Sequence, residues 1–234
     1  MTVPTTGITM RNFYVRPLQV LSFGGGIQST AMLLLIERGD LPRPDVIIFS
    51  DTGSEHPDTI THIEQVVEPF CKEVLEIPFV TVVGYHGKLH DYYLERGNIP
   101  IIGIRGCTKD FKILPINRHI RKIVGNGRGF LLCQVWLGIS TDEKRRGRYN
   151  DGLIYVQKRF PLLEADISRD DCIKLLKEKG WKVKRSGCFC CPYAGSSHYK
   201  ELRDDHPELF EICQEMERKM RAKGKCTIGL CRYE

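Results

Sequence analysis

An α/β architecture, in which helices cover a parallel sheet, follows from three features of this 234-residue chain. Short apolar runs of strand length alternate with longer runs of helix formers, and turn residues punctuate the junctions between them. The order strand–helix–strand–helix–strand, with strands apolar throughout, is that of a parallel sheet buried on both faces.

Residues 1–17 read as an N-terminal arm. Leu18–Leu21 reads as a buried strand running into a turn of three consecutive glycines, Gly24, Gly25 and Gly26. Ser29–Glu37 is dense in Ala, Met and Leu and predicts a helix, which Gly39 ends. Val46–Phe49 predicts a second buried strand, stopped by Asp51-Thr52-Gly53. Asp58–Phe70 predicts a helix and Phe79–Val83 a third strand. Further on, Leu114–Val124 predicts a basic helix, Phe130–Ile139 contains a strand, and Lys144–Arg148 reads as a basic loop. Phe160–Leu163 is expected to be a last short strand, Ser168–Lys179 a helix capped by Ser168, and His206–Lys223 a charged amphipathic helix. No repeat, low-complexity tract or linker interrupts residues 18–234, which read as a single domain with a cysteine-bearing helical region from about 180 onward.

Composition narrows the function classes. Hydrophobic residues at 41% and charged residues at 27% suit an ordinary globular enzyme. No apolar run approaches the roughly 18 residues of a membrane helix, and Met1–Gly7 lacks a basic-then-apolar leader, so a cytoplasmic protein without membrane partners is expected. A net charge of +6 suits an anionic substrate such as a nucleotide and permits nucleic acid. The ten cysteines are unevenly spread. Cys71, Cys133, Cys172 and Cys213 lie within apolar or helical patterns and read as core residues, whereas Cys188, Cys190 and Cys191 cluster.

A buried strand, three glycines, then Ser29-Thr30 opening a helix is a phosphate-capturing arrangement. Glycines let the backbone approach an anion, and the helix presents free N–H groups with its positive dipole end. The alternative is a tight strand–helix turn with ordinary caps. The ending is not that of a Walker A loop, and the spacing does not match the G-x-G-x-x-G fingerprint.

Ser22-Phe-Gly24-Gly25-Gly26-Ile-Gln28-Ser29 resembles the PP-loop, the pyrophosphate-binding loop of ATP pyrophosphatases and phosphoadenylyl-sulfate reductases. Gly24 stands in place of that pattern's first serine, and Gln28 where the ATP-splitting members usually carry Asp. The string Asp51-Thr52-Gly53, with Glu55, resembles the family's nucleotide-lining segment, where the carboxylate would meet a ribose or Mg²⁺; alone it would read as an Asx turn. Gly106-Cys107 through Lys112 to Pro115 resembles the Cys-Cys-x-x-x-Lys-x-x-Pro segment of adenylyl-sulfate reductases, and Gly187-Cys188-Phe-Cys190-Cys191 their later Gly-Cys-x-x-Cys segment. Gly138 through Glu143 to Arg146 resembles a further string whose arginine binds the substrate's anionic groups; Arg145 or Arg146, with Lys112, are the candidate cations.

The resemblance implies an open, mostly parallel five-stranded sheet with helices on both faces, as in adenine nucleotide alpha-hydrolase-like folds. It also implies ATP with Mg²⁺ as cofactors. Ser22, Gly24, Gly25, Gly26, Gln28, Ser29, Thr30, Asp51, Thr52 and Gly53 would hold the nucleotide. Cys107, Cys188 and Cys191 would hold a 4Fe–4S cluster on three thiolates, one fewer than usual. A structural zinc is the alternative for the same cysteines, with Cys226 or His198 supplying a further ligand, and Cys190 is a competing ligand. The activity implied is adenylation of a substrate with release of pyrophosphate, followed by sulfur transfer to a base of tRNA or DNA. Adenylyl- or phosphoadenylyl-sulfate reduction is the alternative, with Cys226 or Cys231 as tail nucleophile. A sulfur donor would serve the first, a thioredoxin-like reductant the second. A non-catalytic nucleotide-binding subunit of a nucleic-acid-modifying system is the third reading, kept open by Gln28.

Overall fold

A computed structural model describes residues 16–125, 132–148, 155–183, 186–224 and 230. Four of the expected strands form, β1 (Leu18–Phe23), β2 (Val46–Asp51), β3 (Phe79–Val83) and β4 (Cys133–Leu137), and with β5 (Val156–Arg159) they make one five-stranded sheet in the order β3-β2-β1-β4-β5. β1 pairs in parallel with β2 on one side and with β4 on the other, and β4 with β5.

Period-two alternation divides the strand residues between two cores. Leu21, Phe23, Ile47, Phe49 and Trp136 meet Met32, Leu33, Ile63, Val67, Leu175 and Leu176 in one. Leu18, Val20, Val46, Ile48, Cys133 and Val135 meet Ile116, Ile120 and Val124 in the other. The helices supplying these contacts are α1 (Ile27–Arg38), the run α2 (Pro57–His62), a π-helical turn Ile63–Val67 and α3 (Glu68–Glu73), then α6 (Leu114–Val124) and α8 (Arg169–Glu178). Both faces of the sheet are therefore helix-covered, as the apolar strands require.

The chain divides into two compact units. The first comprises residues 1–49, 58–82 and 116–186, and the second 50–57, 83–115 and 187–234. In the second, α4 (Leu89–Glu95), α5 (Gly106–Thr108), a π-helical turn Lys109–Ile113, α9 (Ser196–Asp205) and α10 (Pro207–Ala222) enclose a separate core of Leu89, Phe111, Phe189, Tyr199, Cys213 and Met216.

Two local expectations are corrected. Phe160–Leu163 is not a strand: Pro161 occupies the first turn of α7 (Pro161–Glu164), where its missing N–H costs nothing, and the last strand is the preceding, polar Val156–Arg159. The basic segment is not an open loop either, since Thr141–Arg148 winds into a 3₁₀ helix. Cys71, Cys133, Cys172 and Cys213 are core residues, each 0–1% exposed. Among the described residues, no helix is long and apolar enough to cross a membrane.

Candidate functional site

The strand order reverses direction at β1, because β2 and β3 extend to one side of it and β4 and β5 to the other. In open parallel sheets, ligands bind outside the carboxyl ends of strands at such a switch point. A pocket of about 530 Å³ opens there, lined by Ser22, Gly24, Gly26, Gln28 and Ser29 after β1 and by Gly138, Glu143 and Arg146 after β4, with Arg169 and Ser186. All of these belong to the first unit.

The three glycines have different reasons to be glycine. Gly25 has φ +71°, and a Cβ there would lie 2.7 Å from Thr59 Cγ2. Gly26 has ordinary dihedrals, but its Cβ would meet Ser186 Oγ at 2.6 Å. Gly24 is open, its nearest neighbour being Ser29 Oγ at 4.0 Å. Gly24→Ser, which restores the serine of the related loops, is therefore expected to change stability by no more than about 0.5 kcal/mol and to leave nucleotide affinity within about threefold. Calorimetric titration and thermal unfolding check both.

Gly26 caps α1 with its carbonyl, which accepts from Thr30 N at 2.9 Å. Ser29 Oγ accepts from Gly26 N at 3.2 Å and donates to Gly26 O at 3.1 Å, fixing the turn. At Gly138 a Cβ would come within 3.0 Å of Ser29 N, so β4 ends against the first turn of α1. The helix N-terminus, Arg146 and Arg169 thus give the pocket a positive character suited to phosphate or sulfate. Its lining carboxylate, Glu143, is already engaged: Arg146 Nη1 lies 2.5 Å from Glu143 Oε1, and Gln28 Nε2 donates to Glu143 Oε2 at 3.3 Å. Asp142 Oδ2 accepts from Arg169 N at 2.7 Å, tying the start of α8 to the 3₁₀ helix and holding the Asp142 carboxyl below its usual range.

Not every expected residue lines this pocket. Thr30 is fully buried with an Oγ1 lacking a hydrogen-bond partner, and Arg145 is exposed away from the lining. Gly25 shapes the turn rather than the wall. Arg169 and Ser186 were missed. Arg169 opens a helix and reads as a surface cap, and Ser186 precedes Gly187-Cys188, where the cysteines draw the attention.

The second unit holds the cysteines. Segment 52–56 is clasped by backbone bonds: Leu89 N donates to Thr52 O (2.9 Å), Phe189 N to Ser54 O (2.8 Å) and His56 N to Gly187 O (3.1 Å). This places Glu55, whose side chain is 0% exposed, 2.8 Å from Lys112 Nζ. Thr52 Oγ1 donates to Glu55 Oε1 at 3.2 Å and lies 3.3 Å from Cys188 Sγ. Glu55 Oε2 is buried without a hydrogen-bond partner. Asp51 Oδ1 accepts from Gly53 N at 2.7 Å, closing an Asx turn in which Gly53 has φ +64°.

Lys112 sits on the π-helical turn, anchored by the Ser50 hydroxyl on Phe111 O (2.7 Å). Desolvation opposes its charge, but Glu55 and then Cys188 and Cys191 outweigh this and raise its pKa. The charge of Cys191 acts on Cys107, Cys188, Cys190 and Lys112, and that of Cys188 on Lys112 and Cys190, so these side chains share one neighbourhood. Burial, then Glu55, pushes Cys188 up to about 12. Burial also raises Cys107. Cys190 is 0% exposed and packed in the apolar core; burial first, then the neighbouring Cys188, lifts its pKa far above the ordinary thiol value. Cys226 and Cys231 lie outside the described residues.

Residues 19–123 match the family model for the phosphoadenosine phosphosulfate reductase domain. An uncharacterized protein of Methanocaldococcus jannaschii is 28% identical over 201 residues, covering 81% of this chain and 45% of that protein. The chain thus spans about half the length of that curated relative. A phosphoadenylyl-sulfate reductase of Candida auris, solved with phosphate, aligns at 11% identity and TM-score 0.46, over 76% of this chain and 82% of that one. The U34-tRNA thiolase NcsA of Methanococcus maripaludis, solved with its [4Fe-4S] cluster, aligns at 20% identity and TM-score 0.44, over 91% and 75%.

Proposed function

We propose that this chain, which belongs to the phosphoadenylyl-sulfate reductase-like family of PP-loop proteins, binds ATP, adenylates a substrate oxygen and delivers sulfur to a nucleic-acid base of tRNA or DNA. The observation that carries the reading is the Glu55–Lys112 pair at 2.8 Å, with Cys188 Sγ 3.3 Å from the Thr52 hydroxyl that donates to the same carboxylate, in a chain that also holds a pocket at its glycine turn.

In the pocket, the N-terminus of α1 and Ser29 would receive the pyrophosphate portion of the nucleotide. Arg146 and Arg169 would meet the charge that develops at the α-phosphate. The acceptor oxygen attacks the α-phosphorus, the bond to pyrophosphate breaks, and pyrophosphate leaves. A sulfur nucleophile then displaces AMP from the activated carbon.

The donor set suits an iron–sulfur cluster. Cys190 is fully buried in the apolar core, whereas the half-buried thiols of Cys107, Cys188 and Cys191 accompany a half-buried cation, Lys112, and a buried carboxylate with an unpartnered oxygen. Thiols pushed upward by burial become thiolates only when a metal compensates their charge. Cys107, Cys188 and Cys191 would hold the cluster, which would supply an iron able to carry a small sulfur ligand. Lys112 would keep the thiolates charged. Magnesium fits less well, because the carboxylate in the pocket lining, Glu143, is taken by Arg146 and Gln28.

That same engagement of Glu143 supports a second reading, reduction of a sulfonucleotide, whose binding needs no metal bridge. Parallel calorimetric titrations of anaerobically purified protein with Mg-ATP, adenylyl sulfate and phosphoadenylyl sulfate separate the two. Tightest binding of ATP is expected, and a tenfold preference for either sulfonucleotide replaces the first reading by the second. Cys188→Ser and Cys191→Ser are each expected to remove the brown colour and most of the iron; iron content equal to wild type would exclude these cysteines as ligands.

A further inference from the structure

Near Cys107 the second unit exposes a group of side chains that neither reading uses. We infer that Tyr193 and Arg105, flanked by Ile104, form a stacking platform for an unpaired base of an RNA loop. The inference rests on the reading that the acceptor is a nucleic-acid base, and it names the residues that would receive that base.

Two short segments build the platform. Ala194 N donates to Cys191 O at 2.9 Å, and the turn so closed carries Tyr193. The Tyr193 hydroxyl accepts from Gly103 N at 2.7 Å, which ties the ring to the segment leading into Cys107. The Arg105 guanidinium carbon lies 5.3 Å from the centroid of that ring. The Gly103 bond first, and then Arg105, hold the phenol below its ordinary range, while the charge of Cys107 acts the other way. Tyr193 is thus fixed at its polar end, paired with a cation and close to a thiol.

Two features set this patch apart. Ile101, Ile102 and Ile104 are 59%, 46% and 72% exposed, and Tyr193 is 41% exposed. Apolar side chains gathered in this way mark interaction sites, whereas single ones do not. Arg105 adopts φ +50° and ψ +28°, a left-handed conformation uncommon for a residue with a side chain. Such outliers accumulate at functional sites.

The chemistry of the patch selects its occupant. From Arg96 to Lys112 the chain carries four Lys or Arg and a single acid, Asp110, and both Arg105 and Lys109 are exposed. That excess of positive charge favours a polyanion over a protein surface. A flat ring and a planar guanidinium are the surfaces on which unstacked bases lie, with the flanking phosphates meeting the charge. An exposed isoleucine beside them can act as a wedge between neighbouring bases. RNA loops present unpaired bases directly, whereas a base within duplex DNA has first to be extruded.

The test titrates the full chain with a fluorescein-labelled RNA stem–loop, and with the same stem closed as a blunt duplex, following anisotropy. The stem–loop is expected to bind about tenfold more tightly than the duplex. Tyr193→Ala is expected to weaken stem–loop binding about tenfold without changing its dependence on salt, because the ring meets no phosphate. Tyr193→Phe, which keeps the ring, should stay within about threefold of wild type. Arg105→Lys, which keeps the charge but loses the plane, should bind about fivefold more weakly. Circular dichroism of each variant checks the fold. Wild-type affinity in a folded Tyr193→Ala overturns the proposal and leaves the nucleic-acid reading standing. So does equal binding of stem–loop and duplex, or tighter binding of a DNA strand of the same sequence. A wild-type protein that binds none of these probes overturns both. If Tyr193→Ala fails to fold, Arg105→Lys decides: the stated loss supports the platform, and unchanged affinity overturns it.

Discussion

Valine at position 25 is expected to lower adenine-nucleotide affinity at least a hundredfold while leaving a folded protein. Gly25 has φ +71°, a region in which a β-branched residue is strained by about 1–3 kcal/mol. The added Cβ would also stand 2.7 Å from Thr59 Cγ2, with Ile63 Cδ1 at 3.5 Å behind it. Thr59 and Ile63 are anchored in the helical run that packs on the sheet, so the turn must move rather than its neighbours. A hundredfold loss corresponds to about 2.7 kcal/mol, within what that strain supplies once Gly24 and Gly26 leave the pocket wall. Titration calorimetry measures the loss, and circular dichroism confirms the fold. Affinity within threefold of wild type would mean that the turn holds no phosphate.

Lys112→Met is expected to destabilise the second unit by about 3 kcal/mol, the low end for a broken buried pair because Lys112 is itself 33% exposed. The ammonium is the charge partner of Glu55, whose side chain is 0% exposed. Its removal strands a buried carboxylate next to Cys188, which itself resists ionisation. The pair as a whole contributes far less than its rupture costs, because burying both charges is itself unfavourable. The double variant Lys112→Met/Glu55→Gln should therefore recover more than half of the loss. Urea unfolding of the two variants measures the difference. Equal instability in single and double variants would show that Lys112 acts by packing alone.

Much of this was legible in the chain before folding. Apolar runs at Leu18–Leu21, Val46–Phe49 and Phe79–Val83 marked three strands, and the density of helix formers marked α1. The last strand was missed because Val156-Gln-Lys-Arg159 is a sheet-edge segment and carries the polar residues edges favour. Phe160-Pro-Leu-Leu163 imitated it with an apolar run, but a proline fits a first helical turn better than a ladder. In the pocket, the glycine turn and Arg146 were visible as local motifs. Arg169 and Ser186 were not, since they reach the pocket only through tertiary folding. The pairing of Glu55 with Lys112 joins residues far apart in sequence and leaves no periodic trace.

The place of β1 in the middle of the sheet has a consequence for synthesis. One of its partners, β2, follows it closely, but the other is β4, in the register Leu18 with Cys133. At about 5–20 residues per second, a ribosome needs on the order of ten seconds to deliver β4 after β1. During that interval, one edge of the most apolar strand pair stands open to pairing with any other extended segment. Such long-range closure also slows folding from the full-length chain. The strand order that opens the pocket at β1 therefore makes the nascent protein a candidate for chaperone dependence.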